Sequence, residues 1–266
     1  ISEGQASTST PDGAVSALAV EGNSLFAAFA KSGENITIGN GLIYSSNSTG
    51  NSTSWTYFDQ LTDTDADSLS PFAKRFFRGL PITVKEANVT YDASINGSDI
   101  YITSWAGGLR RYNTSTKIWQ RIPLPQDSDQ VLNTCDESSY VTTSSGSILK
   151  DFYLNPRDPN DGGNHNHKAF SVVSYSDTIW VGTANGINRG LVGAYGCIDW
   201  THYTPLADGI TGGFVVDLAI QKYKGYTIIW AATVLAETGE SNGVSYSIDG
   251  GDTWSPTLLG ERAYNI

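Results

Sequence analysis

Four stretches of this chain repeat one pattern of short apolar strands, and that repetition restricts the fold more than any other feature. The clearest copy begins with the alternation Phe170-Ser-Val-Val-Ser-Tyr175 and continues through Thr178-Ile-Trp-Val-Gly-Thr-Ala184. It turns at Asn185-Gly186 and ends near Cys197-Ile-Asp-Trp200-Thr-His-Tyr203. Period-two alternation interrupted by turn residues reads as four antiparallel strands in up-and-down order, the build of a propeller blade. Three further copies begin at Val15, Val89 and Val215, and their registers agree. The second strand carries Phe26, Tyr101, Trp180 and Trp230; the third opens at Gly41, Gly108, Gly186 and Gly243; the fourth carries Trp55, Trp119, Trp200 and Trp254. Blades stack face to face, so bulky apolar groups at matching heights read as core rather than as a ligand ladder. The glycines supply the backbone freedom that a tight hairpin needs. The fold expected is all-β: a β-propeller of four-stranded antiparallel blades, with four visible at approximately 12–58, 86–124, 167–204 and 213–259.

Between the blades lie two polar insertions, 59–85 and 125–166, rich in Asp, Ser, Asn and Pro. Long loops inside a compact repeat often carry function, so these are the expected contact surface for a protein or glycan ligand. Within the first, Ser68 to Phe77 predicts a short helix capped by Ser68, with Pro71 in its first turn. The last residues, Glu261 to Ile266, read as the start of another inner strand. The four blades are therefore expected to belong to a larger propeller, or to close with an added strand.

Composition narrows the class. Only 16% of residues are charged and the net charge is −11, which disfavours polyanionic partners such as nucleic acid and anionic lipid. No apolar run is long enough to span a bilayer, so the chain is not expected to be transmembrane. It contains no Met and opens at Ile1, as expected of a processed, exported chain. Cys135 and Cys197 form either one disulfide or two buried thiols. Asn-x-Ser/Thr triplets at Asn35, Asn47, Asn51, Asn88, Asn96 and Asn113 are candidate glycosylation acceptors. These features together point to a secreted or cell-surface protein.

The run Ser247-Ile-Asp-Gly-Gly-Asp-Thr-Trp254 resembles the Asp-box of BNR-like propellers at Ser247, Asp249, Gly251, Thr253 and Trp254. Ile179 to Ile187 resembles two-component-regulator-type and sortilin-like propeller repeats. The resemblance implies a hairpin between third and fourth strands. There Asp249 accepts turn N–H groups, Gly251 takes a positive φ and Trp254 packs inward. It implies little about function, because sialidases, xyloglucan hydrolases, sortilin-type receptors and photosystem assembly factors share the motif.

Enzyme chemistry finds weak support. Arg121-Ile-Pro123 lies on the outer strand of the second blade, whereas the sialidase motif it resembles precedes the blades, and Arg110 and Arg111 are strand neighbours facing opposite sides. Asp217, inside an apolar inner strand, either lines a central channel or bonds neighbouring backbone. Asp158, Asp161, His165 and His167 read as a solvated loop; the alternative is a candidate metal group, since alternation in an extended chain puts both histidines on one side. Asp63, Asp65 and Asp67 imitate the start of a calcium-binding EF-hand loop, but Ser68 replaces its glycine and Lys74 its bidentate glutamate. The reading that follows is an extracellular, non-enzymatic propeller binding protein or glycan, with no required cofactor and Ca²⁺ as the one candidate ion. Two alternatives stand beside it: a carbohydrate-active, glycoside-hydrolase-like enzyme, and a structural subunit of a homo- or hetero-oligomer or filament.

Overall fold

A computed structural model describes residues 9–50, 54–81 and 88–266. The first blade holds β1 (Ala14–Glu21), β2 (Ser24–Ser32), β3 (Thr37–Ser45) and β4 (Thr56–Phe58), hydrogen-bonded in sequence order. A hairpin of β5 (Leu69–Phe72) and β6 (Arg75–Gly79) follows. The second blade comprises β7 (Thr90–Asn96), β8 (Asp99–Ser104), β9 (Gly108–Asn113) and β10 (Ile118–Ile122). Then come β11 (Val131–Asn133) and a second hairpin, β12 (Tyr140–Thr143) and β13 (Gly146–Leu154). The third blade has β14 (Ala169–Tyr175), β15 (Thr178–Thr183), β16 (Gly186–Val192) and β17 (Ile198–Tyr203). The fourth has β18 (Phe214–Tyr223), β19 (Tyr226–Val234), β20 (Gly243–Ser247) and β21 (Ser255–Thr257). No helix among the described residues is long and apolar enough to cross a membrane.

The inner strands β1, β7, β14 and β18 stand beside one another in sequence order, which is the propeller arrangement. Each carries a bulge at one height, ending at Ala17, Asp92, Ser171 and Asp217. Past the bulge, β7 and β14 each meet the preceding blade on one side and the following blade on the other. Phe26, Tyr101 and Trp180 are buried against the next blade, and Trp119, Trp200 and Trp254 are buried as well. The array stays open. Leu18 of β1 is 57% exposed where the residues that follow the bulge in the other inner strands, Ala93, Val172 and Leu218, are buried, and Val20 is 61% exposed. The glycine expected to open each third strand does so at Gly108, Gly186 and Gly243, whereas Gly41 lies inside β3. At Gly186 (φ 102°) a Cβ would fall 2.0 Å from the Tyr203 carbonyl oxygen, so only glycine fits.

The insertions require a correction. The described residues 59–81 and 125–166 do not form bare loops: β5, β6, β12 and β13 assemble into a fifth sheet in the order β12-β13-β6-β5. Its central pair, β13 with β6, is parallel. Phe72, Phe77, Phe152 and Leu154 pack it between Tyr101, Leu109 and Ile122 of the second blade and Val172, Ile179 and Trp200 of the third. β11 adds to the outer edge of β17, so the third blade has five strands. The helix expected over Ser68–Phe77 is absent: a 3-10 turn covers Asp65–Ser68, and the chain then doubles back through Ala73 and Lys74, both at positive φ. Pro71 sits on the edge strand, the position in a sheet where a missing N–H is tolerated.

The turn within Ser247–Trp254 joins β20 to β21. Thr253 donates to Asp249 through its backbone N–H (3.0 Å) and its hydroxyl (2.6 Å), and Ser247 donates to the same carboxylate (2.7 Å). These bonds, led by the Thr253 hydroxyl, hold the Asp249 carboxyl down at about 2. Gly251 has φ 95° and Trp254 is buried. Replacing Asp249 by Ala leaves those donors without their shared acceptor. A fall in melting temperature of a few degrees is expected by scanning calorimetry, and an unchanged value would show that the turn holds without it.

Candidate functional site

At the bulge, two acidic side chains occupy one register position on different blades. Asp92 accepts from the N–H of Ala93 (2.8 Å) and, across the blade junction, from that of Val172 (2.8 Å). Asp217 accepts from Leu218 (2.9 Å) and from Ile266 (2.7 Å). Thus Asp217 both lines the inner side of the array and bonds neighbouring backbone. The two sets of bonds match, and Ala263-Tyr-Asn-Ile266 runs parallel in character to Ala169-Phe-Ser-Val172. The C-terminal residues, expected to start an inner strand, carry no strand pairing, yet Ile266 stands towards Asp217 as Val172 stands towards Asp92. Burial raises both carboxyls, Asp92 to about 6, with the Asp217 charge adding to the rise at Asp92.

A cavity of about 350 Å³ opens beside this pair, lined by Tyr91, Asp92, Phe170, Val216, Asp217, Tyr264 and Asn265. Aromatic rings continue outward from it. The Phe170 centroid lies 5.9 Å from Tyr91, 5.6 Å from Trp105 and 6.0 Å from Phe214. Trp105 is 39% exposed and Tyr91 44%. Trp105 leaves the fold because the β8–β9 turn is tight: Gly107 donates to the Ser104 hydroxyl (2.9 Å), and a Cβ at Gly107 would fall 2.6 Å from the Asn88 side chain. The Lys168 ammonium sits 4.8 Å from the Trp105 ring centre, and burial lowers its pKa. The entry to each later blade is pinned by a hydroxyl at the end of its second strand. Ser104 donates to Asn88, Thr183 donates to Asn166 (2.6 Å), and Thr233 pairs with Thr211.

The other site residues read from the sequence disperse. Asp63 is buried against Arg110 (2.7 Å) and Arg121 (3.8 Å), Asp67 accepts from the Thr64 N–H (2.7 Å), and Asp65 is exposed. They do not form one calcium loop. His165 and His167 lie on a 3-10 turn rather than an extended chain, so they diverge. His165 stays near Asp158 (3.7 Å), and Asp161 is exposed. His167 is buried, accepts from the Asn155 N–H (2.9 Å), faces the Leu124 carbonyl (3.0 Å), and burial drives its pKa down to about 4. Among the described residues, no three His, Cys, Asp or Glu side chains converge as a metal group. Cys135 and Cys197 are joined in a disulfide. Asn88 is buried with its amide donating to the Leu61 carbonyl (2.6 Å), so this side chain is not an accessible glycan acceptor. Asn35 and Asn47 are exposed. Asn96 and Asn113 donate their amides to Ser176 (2.7 Å) and Asp99 (2.7 Å), and Asn51 lies outside the described residues. Arg110 and Arg111 do face opposite sides, towards Asp63 and towards Gly196.

No protein-family model matches the sequence, and no curated protein matches it as a relative. Solved structures align with it at low identity. The computationally designed Ika4 protein aligns over 96% of both chains with 11% identity and a TM-score of 0.42. The extracellular domain of the putative hybrid two component system BT4673 from B. thetaiotaomicron aligns over 95% of this chain with 16% identity and a TM-score of 0.46. This chain spans only 24% of that domain. An ancestral GH74 enzyme aligns over 97% of this chain and 34% of its own, at 9% identity and a TM-score of 0.41. None of these likenesses assigns an activity or a ligand.

Sequence reasoning reached Asp217 but missed Asp92, Tyr91, Trp105 and Lys168. A signal existed: Asp92 and Asp217 hold equivalent positions in their repeats, visible once the strands are aligned through the bulge. Trp105 and Lys168 lie in turns outside the repeated positions and carry no periodic mark.

Proposed function

We propose that this chain is a non-enzymatic, ligand-binding propeller that works outside the cell and takes a saccharide on the inner face beside Asp92 and Asp217. The observation that carries this reading is Trp105, a large ring left half-exposed beside Phe170 and Tyr91 and next to a cavity edged with polar groups. Apolar C–H faces of a sugar ring stack on such aromatics, while carboxylate, amide and ammonium groups bond its hydroxyls. The non-enzymatic part is supported by the carboxyls themselves, since all four oxygens of Asp92 and Asp217 accept backbone N–H bonds. Action outside the cell is supported by the disulfide.

One observation favours the hydrolase alternative. Asp92, raised to about 6, has the acidity of a general acid near neutral pH. A glycan array followed by calorimetry tests both readings. Trp105→Ala is expected to weaken the strongest saccharide at least tenfold, about 1.4 kcal/mol, with the melting temperature unchanged. Equal binding by the variant would sink the proposed site. Release of reducing ends by the wild type, lost in Asp92→Asn, would favour the enzyme.

A further inference from the structure

On the outer rim, away from the inner face, the β5–β6 turn meets the second blade and the loop that enters β17. A cavity of about 300 Å³ lies there, lined by Lys74, Arg111, Gln120 and Tyr195 among others. Tyr195 is 73% exposed, and the Lys74 ammonium stands 3.3 Å from its ring centre. No carboxylate among the described residues lies within ion-pair distance of Lys74. Arg111 is 5% exposed; it donates to Gln120 (2.7 Å) and to the Gly196 carbonyl (3.1 Å), and its buried Nε–H has no hydrogen-bond partner. Asp99 stands 4.0 Å from that Nε and is held by Asn113 (2.7 Å). Two cations against one carboxylate make this notch positive within a chain of net charge −11.

The backbone here is strained on both sides. Lys74 has φ 64° and Tyr195 φ 58°, conformations that non-glycine residues adopt rarely and that gather at functional sites. Packing holds the strain in place. Gly193 donates to the Cys197 carbonyl (2.8 Å), closing the loop against the disulfide. A Cβ at Gly196 would fall 2.3 Å from the Arg111 guanidinium. The fold therefore fixes an exposed ring beside two cations at a conformational penalty that glycine at position 195 would avoid.

We propose that this notch binds an acidic saccharide unit, with Lys74 and Arg111 taking the carboxylate of a uronic acid and Tyr195 stacking on its ring. A cavity of this size accommodates a single sugar ring, and an exposed tyrosine face suits a pyranose better than an extended peptide. The site shares no residue with the inner-face cavity, so the two readings fail separately.

Calorimetric titration of the full chain with trigalacturonic acid tests it. Binding is expected, weakening tenfold or more between low and high salt as a charge contact should. Lys74→Ala and Tyr195→Gly are each expected to weaken it at least tenfold, while Trp105→Ala leaves it unchanged. Tyr195→Gly suits the positive φ, so its melting temperature should equal or exceed that of the wild type; a structural tyrosine would show the reverse. The proposal is overturned by absent binding, by equal binding of a neutral trisaccharide or an acidic peptide, or by loss through Trp105→Ala instead.

Discussion

Replacing Cys135 and Cys197 with serine is expected to lower unfolding stability by about 4 kcal/mol. The estimate follows from loop-closure entropy, since the disulfide joins positions separated by 62 residues and constrains the unfolded chain most when the closed loop is long. What the bridge ties together matters as much. The loop from 135 to 197 contains β12 and β13 of the fifth sheet and three strands of the third blade. Around the bridge, the Thr134 hydroxyl donates to the Ile198 carbonyl (2.6 Å) and accepts from its N–H (2.8 Å), while the Cys135 N–H donates to Asp199 (2.8 Å). Those bonds persist without the disulfide, so the folded state should keep its geometry and the loss should appear as unfolding at lower denaturant. Urea titrations of the oxidised protein and the double serine variant measure it. A difference under about 1 kcal/mol would mean that the unfolded chain already holds these segments together.

The blades were legible because each is local: four strands, turns of a few residues, and a period of two that leaves Trp119, Trp200 and Trp254 at one height. The fifth sheet was not, because its central pair joins Phe76 to Ile148 across an entire intervening blade. Composition marked those segments as polar, but the pairing of two distant hairpins leaves no local trace. The expected helix failed for a related reason. Ala73 and Lys74 take the positive-φ turn that Asn-Gly would normally announce, and tertiary packing of Phe72 and Phe77 overrides local preference. Placing both histidines on one side requires an extended backbone. In the fold, the Asp127 carboxylate accepts the N–H groups of His165 (2.8 Å) and Asn166 (2.7 Å), which winds this segment into a 3-10 turn and sends His167 inward. The inner-face site was half visible: an acid in an apolar strand stood out at Asp217, while its partner showed only through the shared bulge.

The Asp92 carboxyl should make the stability of this propeller depend on pH in a direction opposite to that of most paired acids. Burial is the largest influence and raises it from 3.8 to about 6; bonds from Val172 and Ala93 oppose the rise, and the Asp217 charge assists it. An acid whose folded pKa exceeds its unfolded value favours folding when protonated. Its contribution is therefore full below pH 3.8, declines between 3.8 and about 6, and is gone above that range. At about 1.4 kcal/mol per unit, the displacement corresponds to about 3 kcal/mol. Many carboxylates titrate in the same window, so the wild-type curve alone cannot isolate this one. Asp92→Asn can, because asparagine stays neutral throughout. Whatever bond the amide forfeits at Ala93 or Val172 should be lost at both ends of the range and should cancel. The stability of the variant relative to the wild type is thus expected to rise by about 2–3 kcal/mol between pH 4 and pH 8, read from denaturant midpoints at each pH. A difference that stays constant across the range would place the Asp92 carboxylate in contact with water, and the junction between the second and third blades would then be looser than the Val172 bond implies.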